Sequence, residues 1–364
     1  MSLANLGMLA DGRAIREAAL ATEAGAEARI MELGAVLRDL IVPLGDGGRQ
    51  RVVLGFGALE TYEGRSQYAG AIAGRCANRI AHGRFAIDGR SFQLPLNEGS
   101  RHSLHGGAIG FDRHAWSIVE HGADAVTLAL VSPAGDQGYP GALRVWCRYA
   151  LIEPATLTLD LTAITDEATV VNLAQHSYFN LDGSDDVRDH EMMVAADFYT
   201  PTDAELIPTG EILSVAGTPF DFRSARPIRH VPAGASTPFG YDMNFVLRRS
   251  SVERSGGLEL AQAATIRSRR NGLVLELWTT EPGLQVYDCH NMNLAARGHE
   301  GRHHGAGAGL ALEAQLFPDS PNRAHFPSAV LRPGEIYRQR TEYRFAAESF
   351  AAESFAAKSF AAES

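Results

Sequence analysis

Strict two-residue alternation constrains this chain more than any other feature. In LRVWCRYAL (143–151), Leu143, Val145, Cys147, Tyr149 and Leu151 share one face, and Arg144, Trp146 and Arg148 take the other. TLTLDLTAIT (156–165) repeats the pattern with Leu157, Leu159 and Leu161, and the IEPA between the two runs predicts a hairpin turn. DAVTLALV (124–131) and GLVLELWTT (272–280) are further strands of the same kind. A period of two sends successive side chains to opposite sides of a strand, so each run buries one face. The runs follow at short intervals without intervening helical patterns, which favours a mainly β, antiparallel sandwich over a βαβ fold.

The two ends resist the same reading. IREAALATEAGAEARIMEL, near the start, is rich in Ala and Glu and favours helix by propensity. Gly25 interrupts it, and a strand–turn–strand is equally readable. At the other end FAAESFAAESFAAKSFAAES (345–364) is one pentapeptide written four times, with Lys358 for Glu. A period of five lines neither a helix face nor a strand face, so a low-complexity tail without function is expected. The expected organisation is a leading segment over 1–27, one β-sandwich domain over 28–344 and the tail over 345–364.

The totals narrow the function. A length of 364 residues suits one large β unit. A net charge of −10 and the lack of any basic run argue against a nucleic-acid surface, which needs clustered Lys and Arg. Cys76, Cys147 and Cys289 are scattered without C-x-x-C spacing, which suits a reducing compartment. No apolar run approaches the roughly 18 residues of a membrane span, and the start does not read as a signal peptide. A soluble cytoplasmic protein is expected.

Five stretches concentrate polar residues in apolar or Gly/Pro-rich surroundings. They are AIAGRCANRIAHGRF (71–85) with Arg75, Asn78 and Arg79, RHSLHGGAIGFDRHAW (101–116) with His102 and His105, and VNLAQHSYFNL (171–181) with His176. PFGYDMNFVL (238–247) holds Asp242 and Asn244, and LALEAQLFPDSPN (310–322) holds Glu313, Gln315 and Asp319. Taken singly, His176 reads as a hydrogen-bonded core histidine, His105 as a loop residue, Arg79 as an ion-pair partner and Asp242 as a turn cap. Glu313 is harder to dismiss. It follows a buried-looking run, where an unpaired carboxylate is costly and needs partners or a shifted pKa. No zinc-type His/Cys cluster, Walker lysine or G-x-S-x-G elbow is present. RHHG (302–305) is expected on a surface loop.

Together and in this order, GRCANRIAHGRFAIDG, LHGGAIGFDRHAW, GYPGAL, VNLAQHSYFNL, YDMNFVL, TTEPGLQVY and LEAQLFPDSPN resemble the aldose 1-epimerase (galactose mutarotase) family. The resemblance implies a large antiparallel β-sandwich of the galactose mutarotase-like supersandwich type, and tips the N-terminal segment towards strands. It implies interconversion of the α and β anomers of a free aldose without a cofactor. By the same resemblance Glu313 takes the proton from the C1 hydroxyl and His176 gives one to the ring oxygen. His105, Asn78, Arg79, Asp242 and Gln285 hold the sugar, with Tyr178 and Phe179 expected against its apolar face. Met243, Ala314 and the LAQHS run depart from the family pattern beside matching residues, which puts sugar preference in question.

The chemistry asks for these residue types in its own right. One proton leaves an anomeric hydroxyl and one reaches an ether-like oxygen, so a carboxylate base and an imidazolium acid do both. His176 is then expected to be protonated and Glu313 ionised. The implied partner is a small monosaccharide, with no metal, nucleic acid or membrane; a monomer and a homodimer both stay open. Three other readings remain: a non-catalytic sugar binder, a glycosidase using Asp242 and Glu313, and a sugar-phosphate epimerase drawing on Arg75 and Arg101 at the pocket mouth.

Overall fold

The computed structural model describes residues 3–64 and 66–347. Among them, sheets of five, six and ten strands dominate, and the strand pairings within these sheets are antiparallel. The alternating runs form the heart of the ten-stranded sheet. Leu143–Ile152 pairs along its whole length with Thr156–Thr165, as the intervening turn predicts. Its inward residues, Leu128, Cys147, Leu161 and Leu277, pack into one core with Phe245, Leu284 and Leu312 of the six-stranded sheet. Phe179 on the smaller sheet meets Tyr343 on the larger, ring centroids 5.1 Å apart. The fold is the expected antiparallel β-sandwich.

The N-terminal segment is strand, not helix. Ala14–Ala21 and Glu27–Met31 pair across a turn in which Gly25 has φ +94°, a value L-residues avoid. Ile15, Ala18 and Leu20 are buried. Helix propensity amounts to a few tenths of a kcal/mol per residue, and apolar burial outweighs it. These strands and Ala4–Met8 belong to one five-stranded sheet with Leu37–Pro43 and Arg49–Arg51.

The last strand, Tyr337–Ala347, lies between Thr156–Thr165 and Leu273–Thr279. It carries the chain past 344 and takes in the first three residues of the first FAAES unit: Phe345 is buried and faces Phe179 at 6.4 Å. The rest of the repeat, 348–364, lies outside the described residues. Among the described residues no helix is long and apolar enough to cross a membrane.

Candidate active site

Period-two alternation sorts the six-stranded sheet into a dry face and a polar one. On Leu310–Gln315, Leu310, Leu312 and Ala314 enter the core, so Glu313 and Gln315 face the other way. On Gly283–Tyr287, Leu284 and Val286 go inward, leaving Gln285 and Tyr287 with Glu313. On Asp242–Leu247, Met243, Phe245 and Leu247 go inward, leaving Asp242 and Asn244. Register then aligns them: Glu313 is opposite Gln285, Gln285 opposite Asn244, and Asn244 opposite Thr200. Tyr178 is opposite Ala311 at the sheet's other edge, so two residues back His176 comes level with Glu313. His176 Nε2 lies 3.6 Å from Glu313 Oε1. His176 is further held by its own backbone, its N–H donating to the Ala71 carbonyl and its carbonyl accepting from Gly70.

A loop wall closes over this polar row. Asn78 and His105 both have positive φ, and they clasp each other: the His105 N–H donates to the Asn78 carbonyl, and the Asn78 N–H donates to His105 Nδ1 at 3.1 Å. Gly106 follows because any Cβ there would sit 1.8 Å from the Gly74 carbonyl oxygen. The His105 and His176 rings meet edge to face at 5.1 Å, and Tyr178 packs edge to face on His176 at 5.0 Å. Arg79 donates through Nε and Nη2 to both Glu98 oxygens, at 2.8 and 2.7 Å, and holds Nη1 3.7 Å from Asp242. Asp242 also accepts from Gln285 Nε2.

All the expected site residues except Phe179 therefore converge, from six segments of the chain. Several of their polar atoms are buried without a partner: His176 Nδ1, Glu313 Oε2, Gln285 Oε1 and Asn244 Oδ1, with both amide atoms of Gln315. Unpaired buried polar groups are costly, and here they cluster where a hydroxyl-rich molecule would satisfy them.

Burial sets the protonation. It pushes the Glu313 carboxyl up to about 8, with Asp242 adding to the rise and Arg79 opposing it. It takes the His176 imidazole down to about 4. His105 falls well below the usual imidazole range, through burial first and then the nearby His176 and Arg79. In the free pocket at neutral pH the pair thus carries its one proton on Glu313, the reverse of the expected arrangement. A desolvated site holds two neutral groups more easily than a charged pair.

One ring nitrogen of His105, one of His176 and an oxygen of Glu313 lie within 4.8 Å of one another, a donor set of the kind that holds zinc. His105 does not fit that role. Its Nδ1 lone pair accepts the Asn78 N–H, so the neutral ring carries its proton on Nε2 and offers a donor, not a ligand.

The structure corrects several expectations. Phe179 is not in the pocket; it follows Tyr178 on a strand and so points into the core. The Tyr178 hydroxyl is committed to the Gln67 carbonyl, which leaves its ring for the site. Arg75 is a core residue bonded to Ser132 and to neighbouring carbonyls, and Arg101 is paired with Glu205. Met243 and Ala314 sit on the dry side of the sheet, behind Asp242 and Glu313, so these departures do not face a ligand. His303 is exposed on its loop as expected, but His304 is buried against Phe56. Two residues escaped the sequence reading. Glu98 orients Arg79, and Tyr68 lies 4.4 Å from the His105 ring and 5.7 Å from that of His176. Neither lies in a periodic run or a dense polar motif.

With the site in view, known proteins give a consistent comparison. Residues 17–344 match the family model described as Aldose 1-epimerase. Galactose mutarotase of Mus musculus is 40% identical over 325 residues, covering 87% of this chain and 90% of that protein. Aldose 1-epimerase of Escherichia coli K12 is 38% identical, covering 93% and 97%. Among solved structures, the GalM/aldose epimerase homologue from C. elegans superposes with a TM-score of 0.84 at 30% identity, covering 92% of this chain and 99% of that one.

Proposed function

This chain belongs to the aldose 1-epimerase family, and from that premise we propose how its residues interconvert the α and β anomers of a free aldose such as glucose or galactose. Glu313 is the base that takes the C1 hydroxyl proton, and His176 is the acid that delivers one to the ring oxygen. The observation that carries this reading is the 3.6 Å approach of His176 Nε2 to Glu313 Oε1, among buried polar atoms without partners.

Ring opening consumes no net proton, and a pair that shares one proton is suited to it. The sugar's hydroxyls replace the missing partners of Glu313 Oε2 and Gln285 Oε1, which favours the ionised carboxylate. The shared proton then resides on His176, poised at the ring oxygen. Transfer opens the ring, the C1–C2 bond turns, and the reverse transfers close it as the other anomer. Arg79, Asn78, Asp242 and Gln285 hold the ring hydroxyls, His105 donates from Nε2, and the ring of Tyr178 lies against the sugar. Three buried, unpaired cysteines fit a reducing, cytoplasmic setting.

A glycosidase would need a second free carboxylate, and Asp242 is engaged by Gln285 and faces Arg79. Polarimetry on freshly dissolved α-D-glucose and α-D-galactose tests the proposal. Equilibration faster than buffer, lost in Glu313→Gln, is the expected result. Rates equal to buffer for both sugars would overturn it.

A further inference from the structure

The two segments that carry the acid and the base diverge at the site. Tyr178–Phe179 still pairs with Leu310–Ala311 as sheet. Before it the chain turns aside: Ala174–Gln175 pairs with Ile72–Ala73, and the His176 backbone bonds Gly70 and Ala71. Glu313 stays in the six-stranded sheet, level with Gln285. His176 and Glu313 thus face each other across a fork, just past the last residues that pair as strands.

Side chains bridge this fork at two points. Asn172 is buried and clasps the backbone of Leu316: its Oδ1 accepts the Leu316 N–H at 2.9 Å, and its Nδ2 donates to the Leu316 carbonyl at 3.4 Å. An amide side chain that meets both groups of one residue stands in for a strand partner. The Asn172 backbone is itself held by the run that leads to Asn78 and Arg79. Its N–H donates to the Arg75 carbonyl, and its carbonyl accepts from Ala77.

The second tie is a relay from the large sheet. The Leu173 N–H donates to the Tyr337 hydroxyl at 3.3 Å, and that hydroxyl donates to Gln339 Oε1 at 2.7 Å. Gln339 Nε2 then donates to the Ala314 carbonyl at 2.8 Å. That carbonyl needs a donor, which fixes the Gln339 amide and leaves its oxygen for Tyr337. Burial holds the Tyr337 hydroxyl well above the ordinary tyrosine range, with Glu281 adding to the rise, so it keeps the proton it donates. Leu173 precedes His176 by three residues, and Ala314 directly follows Glu313. These bonds go to the backbone on either side of the fork, not to the reacting groups.

We infer that Asn172 and the Tyr337–Gln339 pair are positioning residues that set the spacing of His176 and Glu313. A displacement of about 1 Å in a catalytic group can cost about 10²-fold in rate. Both ties act on the distance between the acid and the base, whereas Asp242 and Gln285 are held by their own strand pairing.

This inference rests on the proposed acid–base reading, and the experiment separates the two. Stopped-flow polarimetry on glucose gives kcat and KM per folded molecule for the wild type, Glu313→Gln and four further variants. Gln339→Met, of similar volume, removes both bonds of the amide. Its kcat is expected to fall about tenfold or more, with KM within about threefold. Tyr337→Phe and Asn172→Leu should shift kcat in the same sense. Gln339→Glu is the rescue: at about pH 5 its buried carboxylic acid can donate to Ala314 and accept from Tyr337, so kcat should return to within about threefold of wild type. Lower melting temperatures with kcat unchanged in the folded fraction would show a purely structural role and overturn the inference. A rise in KM alone, or a Gln339→Glu rate at that pH no better than that of Gln339→Met, would overturn it too. If Gln339→Met does not fold, Tyr337→Phe and Asn172→Leu decide the matter by the same split between kcat and KM. A wild-type rate equal to buffer, or full activity in Glu313→Gln, would instead bring down the acid–base reading, and this inference with it.

Discussion

Arg75 and Glu313 are both charged-type side chains in the interior of the sandwich, at 2% exposure each, and they live in opposite surroundings. Arg75 spends its guanidinium on Ser132 Oγ and on the carbonyls of Ser132, Pro133, Pro140 and Gly141, with Thr169 Oγ1 at the edge. Neutral oxygens cage it and staple the 132–141 connection to the core. Glu313 has His176 at 3.6 Å, one oxygen without any partner, and unpaired amide atoms nearby. Burial opposes charge in both, taking Arg75 down to about 10 and Glu313 up to about 8. The difference is satisfaction. A buried polar group with its bonds complete is part of the architecture, and one left incomplete marks a place kept for a ligand.

The sharpest test of that contrast is to remove each group in turn. Glu313→Gln is expected to lower kcat by about 10³-fold or more, judging from the usual reach of general acid–base catalysis. Its melting temperature should hold or rise, because an amide avoids the cost of ionising a buried carboxyl. That cost falls on the folded state as pH climbs from the unfolded carboxyl value towards about 8, so the gain should be greatest above pH 8. A large stability loss in this variant would break the comparison.

Arg75→Met should do the reverse. Stranding several buried carbonyls is expected to cost roughly 3–5 kcal/mol, on the order of 10 °C in melting temperature, with activity per folded molecule nearly intact. Thermal melts combined with active-site-normalised rates check it. An unchanged melt would show that the cage around Arg75 carries no stability.

The pH profile probes the shared proton. The pair binds one proton between its two apparent pKa values, so kcat/KM should be flat between them. Above about 8 the pair loses that proton and the rate should fall about tenfold per unit, and below about 4 it gains a second and falls again. Stopped-flow polarimetry across this range reads both arms. A rate still rising at pH 9 would contradict a single shared proton.

The smallest effect belongs to Asp242→Asn. Its side chain keeps a hydrogen bond to Gln285 but loses the charge facing Arg79, so KM should rise about tenfold with kcat changed less. An equal fall in kcat and kcat/KM would instead place Asp242 in the chemical step.

Much of the site was legible in the chain. Glu313 stood out as a carboxylate after a buried run, and the polar stretches carrying His105, His176 and Asp242 were evident. Phe179 stands beside Tyr178 in the motif yet lies in the core, because adjacent strand residues point to opposite faces. Arg75 and Arg79 share the stretch GRCANRI, yet one enters the core and the other the cleft. Neither Glu98 nor Tyr68 had any local signal, because each matters through a partner distant in sequence.

Period-two patterning is a local property, written residue by residue, and it determined the sheets and which side of each strand is dry. It also explains why Met243 and Ala314 lie behind the site. Only tertiary structure decided that His176 comes level with Glu313, since register between strands over a hundred residues apart depends on how whole sheets pack. Tertiary structure likewise decided where the shared proton rests, because desolvation is set by everything packed around a group and by nothing in its immediate sequence.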